Sequence, residues 1–150
     1  MDNRIYFMDE SHIEGVQKIS ELSIKDYWSI TELRKELTNN VAKYLVYIED
    51  NKVVGFIGLW IVCDEGQITN IGVHPDYRKR GIATSLLNAT IEYLKTLDCN
   101  IITLEVRKSN SNAYDLYSQI GFSDEGVRRK FYKDGEDAII MWYRYEDFED

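Results

Sequence analysis

The sequence has few of the residues from which disulfide frameworks and metal sites are built. It contains two cysteines and two histidines among its 150 residues. Cys63 and Cys99 lie far apart between apolar or β-forming residues, which favours reduced thiols in a cytosolic protein over a disulfide. Neither cysteine, and neither His12 nor His74, has a partner at the spacing of a metal site. We therefore expect no disulfide and no bound metal.

The sequence also lacks a long hydrophobic run and an excess of positive charge. No stretch of about eighteen apolar residues occurs, and the N-terminal MDNRIYFMDESH has no secretory-signal pattern. We therefore expect a soluble, cytoplasmic protein with no membrane association. Lys and Arg number 18 against 26 Asp and Glu, a net charge of −8. This charge argues against a nucleic-acid partner and favours a cationic one, although the tail YEDFED indicates simple solvation.

What is present is an alternation of strand-like and helix-like segments that suits one domain over residues 1–150, with 44% hydrophobic residues. Apolar spacing predicts helices over ESHIEGVQKISELS, SITELRKELTN, the segment that begins at Gly81, and SNAYDLYSQIG. Strands are predicted at RIYFM, on both sides of Asp50 and Asn51 in YLVYIEDNKVVGFIGLWIV, at GQITNIGV and NIITLEV, and in a closing hairpin of VRRKFY and AIIMWYRY around KDGED. This order indicates an α+β fold, a sheet with helices on its faces.

The stretch DYRKRGIA places three basic side chains, Arg78, Lys79 and Arg80, directly before Gly81 in an otherwise acidic chain. A strand, a short loop and a helix that begins at a glycine bring free N–H groups and the positive end of the helix dipole to one point, which suits an anion. The nucleotide-binding pattern G-x-x-x-x-G-K-[ST] and the dinucleotide pattern G-x-G-x-x-G do not occur. A solvated basic turn that caps a helix would show the same short pattern.

The longer stretch NIGVHPDYRKRGIATSLL resembles the acetyl-coenzyme A loop of the Gcn-related N-acetyltransferase (GNAT) superfamily, written [QR]-x-x-G-x-[GA]. The resemblance implies the GNAT fold, a mixed central sheet flanked by helices on both faces, with acetyl-CoA as co-substrate. It also implies that backbone amides of the loop bind the pyrophosphate and that one strand pairs with the pantetheine arm. The implied cofactor-binding residues are Ile71, Val73, Arg78, Lys79, Arg80, Gly81, Ile82, Ala83, Thr84, Asn110 and Tyr117.

Two further stretches, LEVRKSNSNAYDLYSQIGF and RRKFYKDGEDAIIM, resemble the N-terminal acetyltransferase branch of this superfamily, which includes the ribosomal-protein-alanine N-acetyltransferases. The partner implied is the N-terminus of a protein or peptide, such as a ribosomal protein. DYWSITELRKEL resembles the substrate loop of that branch, with Tyr27 where a proline is usual. The residues implied to bind the substrate are Tyr27, Trp28, Glu105, Phe131 and Tyr132.

Acetyl transfer from a thioester to an amine needs a neutral amine, stabilisation of an oxyanion and a proton for the thiolate. Glu105, at a strand end, can take the amine proton directly or through water, unless it is a surface residue paired with Arg107. Tyr117 can protonate the thiolate and shares a helix face with Asn110, which by resemblance binds pantetheine. As alternatives, Tyr117 is a core residue and Asn110 only a helix cap. The oxyanion donor implied is the backbone N–H of Val73.

The ionisation of amines favours an α-amine substrate over lysine. With pKa values of about 8 and about 10.4, the neutral fractions at pH 7 differ by roughly 250-fold, about 3 kcal/mol. One alternative is a GNAT enzyme for a polyamine or aminoglycoside, against which the KFYKDGEDA hairpin argues. Another is a non-catalytic acyl-CoA-binding module, against which the presence of Glu105 and Tyr117 argues.

Overall fold

The computed structural model describes residues 2–145. Met1 and residues 146–150, most of the acidic tail, lie outside the described residues. Within 2–145 the chain forms seven strands and four α-helices: β1 (Ile5–Phe7), α1 (Ile13–Ser23), α2 (Ile30–Glu36), β2 (Ala42–Glu49), β3 (Lys52–Val62), β4 (Glu65–Val73), α3 (Ile82–Thr96), β5 (Ile101–Arg107), α4 (Ser111–Ile120), β6 (Ser123–Arg128) and β7 (Ala138–Arg144). Short 3-10 turns at Glu10–His12 and Pro75–Tyr77 precede α1 and α3.

The strands form one mixed sheet in the order β1-β2-β3-β4-β5-β7-β6. β4 and β5 run parallel, whereas the other neighbouring strands run antiparallel. The last hairpin inserts β7 between β5 and β6, so β6 becomes the edge of the sheet. None of the helices within 2–145 has the length and apolar character needed to cross a membrane.

Side chains that alternate along the strands pack against helices on both faces of the sheet. On β2, Tyr44 and Val46 belong to the core cluster that contains α1 and α2, whereas Leu45 and Tyr47 belong to the cluster that contains α3 and α4. A period of two residues with both faces apolar is that of a strand buried on both sides. The predicted mixed sheet with helices on both faces is therefore confirmed.

The hairpin between β2 and β3 turns where the sequence predicts it. Asp50 and Asn51 have φ values of 54° and 61°, and Glu49 pairs with Lys52 on either side of them. Two central residues with positive φ are the mark of the type I′ turn, whose twist matches that of the flanking strands. Asn and Asp adopt this conformation more readily than most residues.

The closing hairpin differs from the prediction. Its first strand is β6, which ends at Arg128, so most of the predicted strand VRRKFY lies in a loop over residues 129–137. β6 is an exposed edge strand and carries no apolar alternation, which is why the pattern pointed to Phe131 and Tyr132 instead. Polar contacts hold this loop, since Asp137 accepts a hydrogen bond from the Lys130 N–H at 2.9 Å.

Several predicted site residues lie in a cleft that forms where the parallel strands β4 and β5 separate. β4 pairs with β5 over residues 65–67, opposite residues 101–103, and no further. Next along β4, Asn70 lies opposite Gly58 and Ile68 opposite Leu59, which leaves Thr69 as an extra residue in a β-bulge. Past Gln67 the two strands β4 and β5 no longer pair, and their carboxyl-terminal halves border a cleft between them.

Candidate active site

The loop before α3 has the geometry of an anion site. Lys79 and Gly81 have φ values of 63° and 78°, and Gly81 is the N-cap of α3 without a side-chain cap. The first N–H groups of α3 therefore remain available to a ligand. A Cβ atom on Gly81 would meet no protein atom within 4 Å, so the space before the helix is open. We call this the loop cavity, of about 220 Å³, lined by Val73, Tyr77, Arg78, Lys79, Gly81, Ile82, Ala83, Thr84 and Leu116.

Two of the three basic side chains of this loop, those of Arg78 and Arg80, contact other parts of the protein. Arg78 donates to the carbonyl oxygen of Val73 at 3.3 Å and to Ser23 Oγ at 3.2 Å. Arg80 lies over the ring of Tyr77, 5.0 Å from its centroid, and does not line the loop cavity. The geometry thus offers the anion mainly backbone N–H groups, and the predicted role of Arg80 in cofactor binding stays a prediction.

A second cavity, of about 440 Å³, lies between β4, β5, α4 and the segment that joins α1 to α2. We call it the central cavity. Six predicted site residues line it: Trp28, Ile71, Glu105, Asn110, Tyr117 and Tyr132. Asn110 Oδ1 accepts the hydrogen bond that caps α4, from the Ala113 N–H at 3.2 Å, so the predicted helix cap is real. Its amide Nδ2 makes no hydrogen bond with residues 2–145 and is available to a ligand in the cavity.

A third cavity, of about 510 Å³, adjoins the central one and is walled by aromatic side chains. We call it the aromatic cavity. Trp28, Phe131 and Tyr132 line it as the sequence predicts for a peptide slot, whereas Tyr27 is 46% exposed and lines none of the three cavities. Sequence reasoning missed four of its other lining residues, Trp60, Glu65, Gln67 and Trp142. All three tryptophans of the chain line this one cavity, a concentration that strand periodicity alone does not reveal.

Glu105 lies where the central and aromatic cavities meet, since it lines both. Its side chain is 32% exposed, and Oε1 lies 3.7 Å from Nε of Arg128. Burial raises the pKa of the Glu105 carboxyl above its usual range, Arg128 lowers it and Glu65 raises it further. The alternative partner, Arg107, is instead bound to Asp26 at 2.7 Å. Glu105 is thus a half-buried carboxylate at a cavity junction.

Tyr117 is 6% exposed, and its ring packs against Phe122 with 5.8 Å between centroids. Burial raises the pKa of its hydroxyl well above the usual value near 10. Within residues 2–145 the hydroxyl has no hydrogen-bond partner, whereas Tyr114 on the same helix donates to Asp124 at 3.2 Å. Tyr117 therefore brings a protonated, unpaired hydroxyl to the wall of the central cavity.

Ion pairs join the α1–α2 segment to the loop 129–137 across the cleft. Arg107 Nη1 contacts Asp134 at 3.0 Å and Glu136 at 2.8 Å, in addition to the Asp26 contact, and its guanidinium lies 4.0 Å from the ring centroid of Tyr132. Lys25 adds a second pair to Asp134, at 2.7 Å. This cluster fixes the two segments that carry Trp28 and Tyr132. Within 2–145 no group of three His, Cys, Asp or Glu side chains is placed to hold a metal ion.

Comparisons with known proteins agree with this geometry. Residues 8–122 match the model of the Acetyltransferase (GNAT) family. A Bacillus subtilis (strain 168) protein, provisionally named a [ribosomal protein bS18]-alanine N-acetyltransferase, is 39% identical over 87% of each chain. The Escherichia coli (strain K12) enzyme of that name is 38% identical over 69% of this chain and 74% of its own.

The fold comparison leads to the same family. The crystal structure of the ribosomal-protein-S18-alanine N-acetyltransferase from Escherichia coli superposes with a TM-score of 0.86, at 29% identity, over 93% of this chain and 92% of that one. The fold predicted from the loop before α3 and from the stretch LEVRKSNSNAYDLYSQIGF is thereby confirmed. The chain belongs to the acetyltransferase (GNAT) family and is an N-acetyltransferase.

Proposed function

We propose that this enzyme transfers the acetyl group of acetyl-CoA to the α-amine of the N-terminal alanine of ribosomal protein bS18. The observation that carries the proposal is the position of Glu105, whose carboxylate faces both the central cavity, with the Tyr117 hydroxyl, and the aromatic cavity beyond. The relatives that share 38–39% identity are named for this reaction. Because the substrate is a ribosomal protein, we expect the enzyme to act in the cytoplasm.

Acetyl-CoA would contact the start of α3, the open side of β4 and Asn110. The free N–H groups at the start of α3 would hold the pyrophosphate, with Lys79 beside them. Past Gln67, β4 has no partner strand on the β5 side, so the backbone of Ile71 and Val73 can pair with the pantetheine arm as an added strand would. The amide Nδ2 of Asn110 can donate to the same arm. Bound there, acetyl-CoA would supply the acetyl group as a thioester.

Glu105 and Tyr117 would perform the two proton transfers. Glu105 removes a proton from the substrate ammonium, directly or through water, and its raised pKa reduces the gap to an α-amine with a pKa of about 8. Tyr117, a phenol that is protonated at neutral pH and whose pKa burial raises further, donates to the sulfur as the thiolate leaves. The backbone N–H of Val73 is the proposed donor to the developing oxyanion. Direct transfer in a ternary complex then needs no covalent acyl-enzyme.

The aromatic cavity favours a peptide over a small amine. Its volume of about 510 Å³ extends from Glu105 between the segment of Trp28 and the loop of Phe131, which leaves room for residues that follow the reacting amine. Glu65 adds a second carboxylate to this cavity. Together with the net charge of −8, these carboxylates suit a positively charged N-terminal segment.

Mass spectrometry of a mixture of potential acceptors tests the proposal. The mixture holds a basic peptide that begins with alanine, the same peptide with a blocked α-amine and a lysine, and a polyamine, all with acetyl-CoA. We expect acetylation of the alanine α-amine, and its loss in Glu105→Gln but not in Glu14→Gln, an exposed α1 residue outside the three cavities. Modification of the polyamine alone would contradict the peptide substrate.

A further inference from the structure

Arg128, the last residue of β6, reaches across the neighbouring strand β7 to the proposed base. Arg128 pairs in register with Ala138 of β7, which pairs in turn with Arg107 of β5. Its side chain lines the aromatic cavity, with Nε 3.7 Å from Glu105 Oε1 and the guanidinium 6.0 Å from the ring centroid of Phe131. A long cationic side chain from the sheet edge thus ends at Glu105.

The other cations near Glu105 are bound elsewhere. Arg107 on the same strand contacts Asp26, Asp134 and Glu136, and Lys25 contacts Asp134. The remaining titratable groups that face Glu105 are acidic or neutral: Glu65 on β4 and the phenols of Tyr117 and Tyr132, the latter with a pKa raised by burial to about 12. Within residues 2–145, Arg128 is therefore the single cation in ion-pair distance of the Glu105 carboxylate.

Arg128 occupies the side of Glu105 from which the peptide amine must approach. A base has to come within about 3 Å of the atom whose proton it removes, and the aromatic cavity is the proposed entry of the peptide. The Arg128 side chain is 57% exposed and makes a single contact with Glu105 at 3.7 Å. An exposed pair of this kind is weak, so a cationic ammonium can replace it without leaving the carboxylate unpaired.

We propose that Arg128 is a positioning residue for Glu105, whose guanidinium neutralises and orients the carboxylate in the free enzyme and is exchanged for the α-ammonium when the peptide binds. The inference rests on the proposed role of Glu105 as base. In the free enzyme the guanidinium opposes the effects of burial and of Glu65, both of which favour the neutral carboxyl. On the side of the aromatic cavity, Glu105 then contacts a cation in both states: the Arg128 guanidinium in the free enzyme and the α-ammonium in the peptide complex.

The first test is a titration of the Glu105 carboxyl in the free protein, by NMR of the ¹³C-labelled side chain. Burial and Glu65 raise the pKa and Arg128 lowers it, so Arg128→Gln should shift the apparent pKa of Glu105 upward. Arg128→Lys, which keeps the charge, should restore most of the difference. The matched control Arg129→Gln changes the adjacent exposed arginine and should leave the titration unchanged. Equal pKa values in Arg128→Gln and the wild type would overturn the inference.

The second test repeats the titration with CoA and the alanine-starting basic peptide at saturation. Exchange predicts that the Glu105 pKa values of the wild type and Arg128→Gln converge, because Arg128 no longer contacts the carboxylate in either protein. A peptide with an acetylated N-terminus has no ammonium and should leave the difference in place. If the difference persists with the free-amine peptide, exchange is wrong. Failure of acetyl transfer would refute the proposed function while the free-protein titration still decided the role of Arg128.

Discussion

At the scale of single residues, burial acts on both proposed proton-transfer groups, the base Glu105 and the acid Tyr117. Burial favours the neutral form of both Glu105 and Tyr117 and raises both pKa values. The Tyr117 phenol is protonated at neutral pH, as a proton donor requires, and burial raises its pKa further. For Glu105 the shift brings a weak base closer to the pKa of an α-amine, while the contact with Arg128 limits it. Of the two groups, only Glu105 changes charge as the pH passes through the acidic range.

Tyr117→Phe tests the donor without disturbing the packing. The substitution keeps the ring against Phe122 and leaves no protein group unpaired, because the hydroxyl has no partner within residues 2–145. Loss of a general acid typically costs 10²- to 10⁴-fold, so we expect kcat to fall by about that much while acetyl-CoA affinity stays within about twofold. Steady-state kinetics and calorimetric titration with CoA measure the two quantities. Tyr114→Phe, on the same helix, is the control, and an unchanged kcat in Tyr117→Phe would remove Tyr117 as the acid.

At the scale of elements, the start of α3 and the end of β4 act together. In the loop between them, Lys79 and Gly81 have positive φ. No side chain caps α3, so the N–H groups at the helix start remain open. The pairing of β4 with β5 stops at Gln67, next to the bulge at Thr69, which leaves one side of β4 open. Both features are departures from regular structure, and each provides backbone groups that a ligand can use.

Gly81→Ala tests the helix start. At φ 78° an alanine costs about 1–2 kcal/mol of stability, and its Cβ would stand in the open space before α3. We expect the affinity for acetyl-CoA to fall about tenfold or more, a binding loss of about 1.4 kcal/mol, measured by calorimetry. Gly135→Ala is the matched control, because Gly135 has φ 89° and an equally open Cβ position but lines none of the three cavities. Equal losses of affinity in both variants would mean that backbone strain, and not the anion site, is responsible.

At the scale of the whole molecule, the excess of acidic residues acts on the encounter with substrate. A net charge of −8 attracts a cationic peptide over distances of about a Debye length, roughly 8 Å at physiological ionic strength. The same field opposes an anionic cofactor, which is consistent with an anion site built from backbone N–H groups at a helix start.

The salt dependence of kcat/KM measures this attraction. With acetyl-CoA at saturation, kcat/KM for a basic alanine-starting peptide should fall about tenfold as ionic strength rises from about 0.02 M to about 0.5 M, because steering raises on-rates by about 10- to 10³-fold. An uncharged peptide of equal length that also begins with alanine should change little, and kcat should be nearly constant for both. The same salt dependence for both peptides would show that the charge of the residues beyond the α-amine does not affect association of the peptide with the enzyme.

The sequence by itself determined the features that depend on neighbouring residues. The helix and strand periods, the turn at Asp50 and Asn51, and the glycine at the start of α3 are local, because a few consecutive φ and ψ angles decide them. The cofactor loop belongs to this class, since residues 71–84 contain its strand end, loop and first helical turn. A motif of that kind can be recognised before any long-range contact is known.

Only the tertiary structure decided the contacts between distant segments. The insertion of β7 between β5 and β6 brings Arg128 to Glu105, and the closing loop brings Asp134 to Arg107. The meeting of Trp28, Trp60 and Trp142 around one cavity likewise depends on strand order. The closing hairpin forms between β6 and β7, but the predicted bounds of its first strand, VRRKFY, were wrong, because an edge strand buries too little to leave a pattern in the sequence. Strand order and the separation of β4 from β5 are set by the packing of the whole chain, so they determine which side chains share the site.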